Sequence, residues 1–124
     1  MLLAVALCQV ALVASAVQYE YAYGGQIKKN GIATTKHQKK ESATDTDAKV
    51  TLDQVTPGGS LVGYNMWFER RSYYVSDPTI VSSTGAYSIH YQYPFGLKGD
   101  YYGLGVKNHK NNGVNIHTDG TWRP

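Results

Sequence analysis

Large apolar and polar side chains alternate with a period of two in one stretch after another of this sequence, which constrains its fold more than any motif does. Gly85 to Tyr93 sets Tyr87, Ile89, Tyr91 and Tyr93 on one side and Ala86, Ser88, His90 and Gln92 on the other, as a half-buried strand requires. Val17 to Tyr23 sets Val17, Tyr19, Tyr21 and Tyr23 opposite Gln18, Glu20 and Ala22. This reads as a strand or tyrosine-rich arm that Gly24-Gly25 should end. Ala48 to Val55 repeats the pattern, with Ala48, Val50 and Leu52 opposite Lys49, Thr51 and Asp53. Nowhere after residue 16 does an apolar spacing of 3.6 last for three turns, so little or no helix is expected.

Turn chemistry divides these runs. Thr56-Pro57-Gly58-Gly59-Ser60 predicts a hairpin or tight corner, because proline presets φ and glycine supplies positive φ. Leu61 to Ser72 follows as the most apolar strand, with Val62, Tyr64, Met66 and Phe68 on one face and Leu61, Asn65, Trp67 and Glu69 on the other. Large apolar groups on both faces imply a strand covered on both sides, or one whose second face meets a partner. Thr79-Ile80-Val81 is a candidate short strand after Asp77-Pro78. Asp100 to Lys107 and Val114 to His117 are two more, the last closed by Thr118-Asp119-Gly120 before Trp122. Residues 85–93, 100–107 and 114–117 form, most simply, an antiparallel meander.

Strand signals spaced this way define an all-β chain, a small antiparallel β-sandwich of about six to eight strands. A single open sheet would leave one tyrosine-rich face wet, which favours two packed sheets. Residues 1–16 are set apart from that fold. Met1 to Val13 is apolar except for Gln9 and ends in Ala14-Ser15-Ala16, the small-x-small pattern of a cleaved signal peptide. It is too short for a transmembrane helix. No basic residue precedes it, and a core helix or retained anchor is the competing reading. The expectation is a secreted protein starting at Val17 with no transmembrane span in the mature chain. Residues 17–47 would form a tyrosine-rich strand or arm with a polar lysine-rich segment, and residues 48–124 the sandwich core.

Cys8, the one cysteine, lies in the leader after Leu7, where lipoprotein processing would want a small residue. The rest has no disulfide or thiolate metal site, as is ordinary for export from Gram-positive bacteria. A formal charge of +3 is far below what nucleic-acid binding shows, so no nucleic-acid partner is expected. It does favour approach to anionic envelopes. Lys28, Lys29, Lys36, Lys39 and Lys40 sit together in the polar stretch from Gln26 to Asp47. They are read either as a contact for a polyanion such as teichoic acid or as a solvated segment guarding a strand edge.

Catalytic signatures are weak. No nucleophile elbow surrounds any serine, and Gly103-Leu104-Gly105 lacks the third glycine and the helix of a dinucleotide fingerprint. No enzyme activity and no cofactor are expected. His109, His117 and Asp119 would form a metal site if a hairpin brought the histidines together, though their spacing matches no zinc motif. Eleven tyrosines suit half-wet sheet faces and surfaces that bind sugars, peptides or membrane interfaces. In Tyr73-Tyr74 and Tyr101-Tyr102 one ring of each pair must leave the core. Trp67, Tyr73, Tyr101 and Trp122 are the candidate contact aromatics.

The signal-like start, the cysteine-free body, Tyr-Asn-Met-Trp-Phe at 64–68 and the ending Thr118-Asp119-Gly120-Thr121-Trp122-Arg123-Pro124 together resemble small exported all-β proteins of Gram-positive bacteria. Some of those are bacteriocin-like. The resemblance implies a β-sandwich and antagonism toward competing cells, and it transfers no functional residue. Two expectations follow: a secreted, non-enzymatic, bacteriocin-like protein acting at a cell envelope, or an extracellular module that binds polysaccharide or protein without killing.

Overall fold

The structure, a computed structural model, describes residues 20–28, 31–109 and 115–124. The leader, Cys8 and Lys29 lie outside the described residues. Nine strands are present among the described residues: β1 (Tyr21–Ile27), β2 (Ile32–Thr34), β3 (Gln38–Lys39), β4 (Asp47–Thr56), β5 (Val62–Phe68), β6 (Thr79–Val81), β7 (Gly85–His90), β8 (Tyr101–Asn108) and β9 (Ile116–Arg123). Every pairing is antiparallel, and no helix occurs among the described residues. One sheet runs β1-β9-β4-β7. The other runs β2-β8-β5-β6, with β3 also on β8.

The alternation that predicts the strands also fills the core. Ala48, Val50 and Leu52 of β4, Ile89 of β7, and Ile116 and Trp122 of β9 are buried from one sheet; Val62, Tyr64, Met66, Tyr102, Leu104 and Val106 meet them from the other. Each fully buried side chain of this kind stabilises the fold by about 1.5–3 kcal/mol, which is how the sandwich stands without a disulfide. Thr56 to Ser60 makes a corner and not a hairpin, since β4 and β5 belong to different sheets. Gly59 takes φ +78° there, and Ser60 closes the turn on the Pro57 carbonyl through its amide and its hydroxyl.

The meander is not formed. β7 pairs with β4, β8 with β5 and β2, and β9 inserts between β1 and β4, so these three consecutive strands alternate between the two sheets. Nor does Gly120 end the last strand. It faces Tyr23 and Leu52 in the ladder, where a β-carbon would strike the Thr51 carbonyl and the Tyr23 ring. Glycine is needed there for close approach, so β9 continues to Arg123. In the same way β1 runs through Gly24-Gly25 to Ile27, paired with β9 throughout. β1, the strand of the two readings for that stretch, and β2 with β3 supply an edge of each sheet, and β2 and β3 raise the strand number among the described residues to nine.

The two open sides of the sandwich differ. On one, residues 74–76 cross between the layers. Tyr74 bridges to Trp67, Ser76 bridges to Tyr91, and Val75 is fully buried. On the other, β1 faces β2 and Lys36 across a cleft of about 340 Å³.

Candidate functional site

The outer face of the β2-β8-β5-β6 sheet gathers most of the sequence-predicted contact residues that remain accessible. Tyr102 is in the core, so its neighbour Tyr101 points outward, 41% exposed and directly opposite the exposed Lys39. A second row crosses the same face as Ile32, Lys107, Gly63 and Ile80, with both isoleucines nearly half exposed. Between these rows Trp67 lies edge-on to Tyr74 at 5.2 Å, and its indole N–H donates to the Arg71 carbonyl at 2.7 Å. Tyr73 is exposed, with the Arg71 guanidinium 5.9 Å from its ring centre. Tyr73-Tyr74 and Tyr101-Tyr102 thus divide between solvent and protein as the alternation argument requires.

Glycine makes this layered surface possible. A β-carbon at Gly105 would strike the Tyr74 ring and one at Gly103 would press on the Thr35 carbonyl and the His37 ring, while at Gly63 the His109 ring lies at ordinary contact distance. Tyr74, edge-on to Trp67, therefore supplies the second cover that the two-faced apolar pattern of β5 implied, from the same chain.

Charge is sorted between the two outer faces. On the β1-β9-β4-β7 sheet His90 Nδ1 lies 2.6 Å from Asp47 and His117 Nε2 lies 3.0 Å from Asp119. Arg123 lies 3.5 Å from Asp45, and Lys49 donates to Ser88. On the other outer face Lys39 and Lys107, and Lys36 on the adjoining cleft, make no ion pair among the described residues. Uncompensated cations grouped beside exposed aromatics give that face the more positive field.

Two of the expected contact residues are withdrawn from it. Lys40 is fully buried, with Nζ 5.3 Å from the centre of the Tyr91 ring and no hydrogen-bond partner. Adjacent strand residues face opposite ways, so Lys39 turned outward forces Lys40 inward. Trp122 is 2% exposed and packs on Tyr21 at 5.9 Å. Lys28 is exposed at the turn after β1. The proposed metal trio is divided: His117 and Asp119 are on β9, whereas His109 follows β8 in the other sheet and covers Gly63. No cluster of metal-ligating side chains occurs among the described residues. Neither is any helix among them long and apolar enough to cross a membrane.

Burial lowers the Lys40 pKa from its ordinary value of 10.5, only partly opposed by the Asp45 carboxylate. The unfolded chain therefore binds this proton more tightly, and Lys40 makes stability climb as pH rises from the lowered folded pKa toward 10.5. Lys40→Met should stabilise the fold by about 1–2 kcal/mol near neutral pH and flatten that rise. Urea midpoints across the range measure both; a less stable variant would mean that the buried amine has a partner.

Sequence reasoning missed Lys107, Ile32 and Ile80 as members of this face, although Lys107 is placed by the alternation that buries Val106. No family, curated protein or solved structure matches this chain.

Proposed function

We propose that this is a secreted, non-enzymatic protein of bacteriocin-like kind that works at a Gram-positive cell envelope, using the outer face of the β2-β8-β5-β6 sheet. The observation that supports it is the grouping of unpaired Lys39 and Lys107 with exposed Tyr101 and Tyr73, with unpaired Lys36 on the adjoining cleft. The lysines attract an anionic polymer or lipid surface, and the rings supply contact area with an apolar body and a polar edge. Lys28 extends the cationic zone at the end of β1.

Pull-down on isolated cell walls and anionic vesicles, run beside growth inhibition, tests the reading. The triple variant Lys36→Gln, Lys39→Gln, Lys107→Gln should weaken envelope binding by about a hundredfold at low salt, from about 1 kcal/mol per lysine. Inhibition should fall with it. Wild-type binding without inhibition would assign the protein to the class of adhesive modules. Binding indifferent to the three substitutions would overturn the role of this face.

A further inference from the structure

The open side of the sandwich carries an unguarded strand edge. Natural sheets blunt their edges with charge, proline, brevity or cover, because unpaired N–H and C=O groups recruit another strand. Three of the four edges here are treated in that way. The edge made by β2 and β3 is broken at residues 35–37 and carries Lys36 and Lys39. β6 has three residues and follows Pro78. β7 is covered by the crossing segment, through Thr79 donating to the Ser88 carbonyl and the bridge from Ser76 to Tyr91. β1 has none of these devices among the described residues: Tyr21-Ala22-Tyr23-Gly24-Gly25-Gln26-Ile27 contains no charge and no proline, and pairs there on one side only. All seven residues border the cleft, so the strand presents its backbone edge to that space.

We infer that β1 pairs antiparallel with β1 of a second copy of this chain, about a two-fold axis through Gly24, joining two four-stranded sheets into one. The sequence is self-complementary in this register. Tyr21 falls opposite Ile27, Tyr23 opposite Gly25, Ala22 opposite Gln26, and Gly24 opposite itself, so each large residue meets a small or unbranched-polar one or an aliphatic one and no like charges face each other.

Gly25 leaves room beside this edge. Among the described residues nothing stands within 4 Å of its β-carbon position, and its φ of +137° itself favours glycine. Tyr23 is already held over Gly120, its hydroxyl donating to the Thr51 carbonyl and bonded to Tyr64 at 2.6 Å. Tyr21 is half-buried, and in the paired strands it lies diagonal to Gly25 of the second copy, within reach of an aromatic side chain. Side chains on this face of the second strand enter the space between the layers, which is the cleft.

Sedimentation equilibrium of the purified chain tests the pairing, with dimer expected at high micromolar concentration. Ala22 and Gln26 are exposed on the outer face, so substitutions there spare the core. Ala22→Glu with Gln26→Glu sets like charges opposite each other in both symmetry-related pairs, and should weaken association about tenfold or more. Ala22→Lys with Gln26→Glu sets opposite charges in the same places and should restore it. Because both variants change the same two positions, a common folding defect would affect them alike. A monomeric wild type, or two variants with equal association, would overturn the inference, whatever the envelope assays show.

Discussion

Truncation of Trp122 to alanine should destabilise the protein by about 3–5 kcal/mol, among the largest effects a single core change produces. The indole is 2% exposed, and it sits opposite Tyr21 of β1 and Val50 of β4 in the ladders on either side. Removing it opens a cavity at the joint of three strands, and it strips Tyr21 of a ring contact at 5.9 Å. Against a total stability of about 5–15 kcal/mol for a domain of ordinary stability, such a loss leaves a substantial unfolded population on warming. Urea unfolding should show a much lower midpoint with an unchanged slope, and Trp122→Phe should recover part of the difference. A loss below about 1 kcal/mol would mean that the last strand is not packed as described.

Alkali should unfold the protein over a narrow range. Burial raises the pKa values of Tyr64 and Tyr91 well above their ordinary 10.0, and pushes Tyr23 up to about 12. A raised folded value means that the native state holds its proton longer, so stability is complete below 10.0 and falls once the unfolded tyrosines begin to ionise. Tyr64 and Tyr91 together should remove about 2–3 kcal/mol between about pH 10 and pH 11, at about 1.4 kcal/mol per group per pH unit. Tyr23 is half-exposed and adds less. Lys40 acts with the opposite sign near the start of this range, and one amine does not offset two phenols. Thermal melts at rising pH, followed by tyrosinate absorbance, would show unfolding and ionisation together. Ionisation of every tyrosine near the ordinary value in a folded protein would refute the burial of these rings.

Strands were legible in this chain where side chains alternate and turns are chemically marked. Residues 79–81 are a strand as read, and the runs at 48–55 and 85–93 correspond to β4 and β7 with small shifts at their ends. Glycine is where the reading failed, at Gly24-Gly25 and at Gly120. A glycine that breaks a strand and one that admits a neighbouring ring look alike in a single sequence, and only Tyr23 across the ladder tells them apart. Pairing order was illegible for a related reason: alternation fixes which side chains turn inward, not which strand lies alongside. At the candidate face, the rule that separates Tyr101 from Tyr102 also separates Lys39 from Lys40. Charge suggested that both lysines were wet, and the two-residue period overrode it. Lys107 and Ile32 come together only through the β2 to β8 register, which no local pattern encodes.

The position of β9 carries a consequence for how the molecule comes into being. β9, later in sequence than the strands it joins, is not at a border but in the middle, wedged between β1 and β4. During synthesis the earlier strands of that layer therefore wait with a slot between them, and the layer is completed only when residues 116–123 become available. Such long-range closure favours slow, all-or-none maturation. A polypeptide lacking residues 116–123 would keep those sticky borders exposed, and proteolysis is its expected fate.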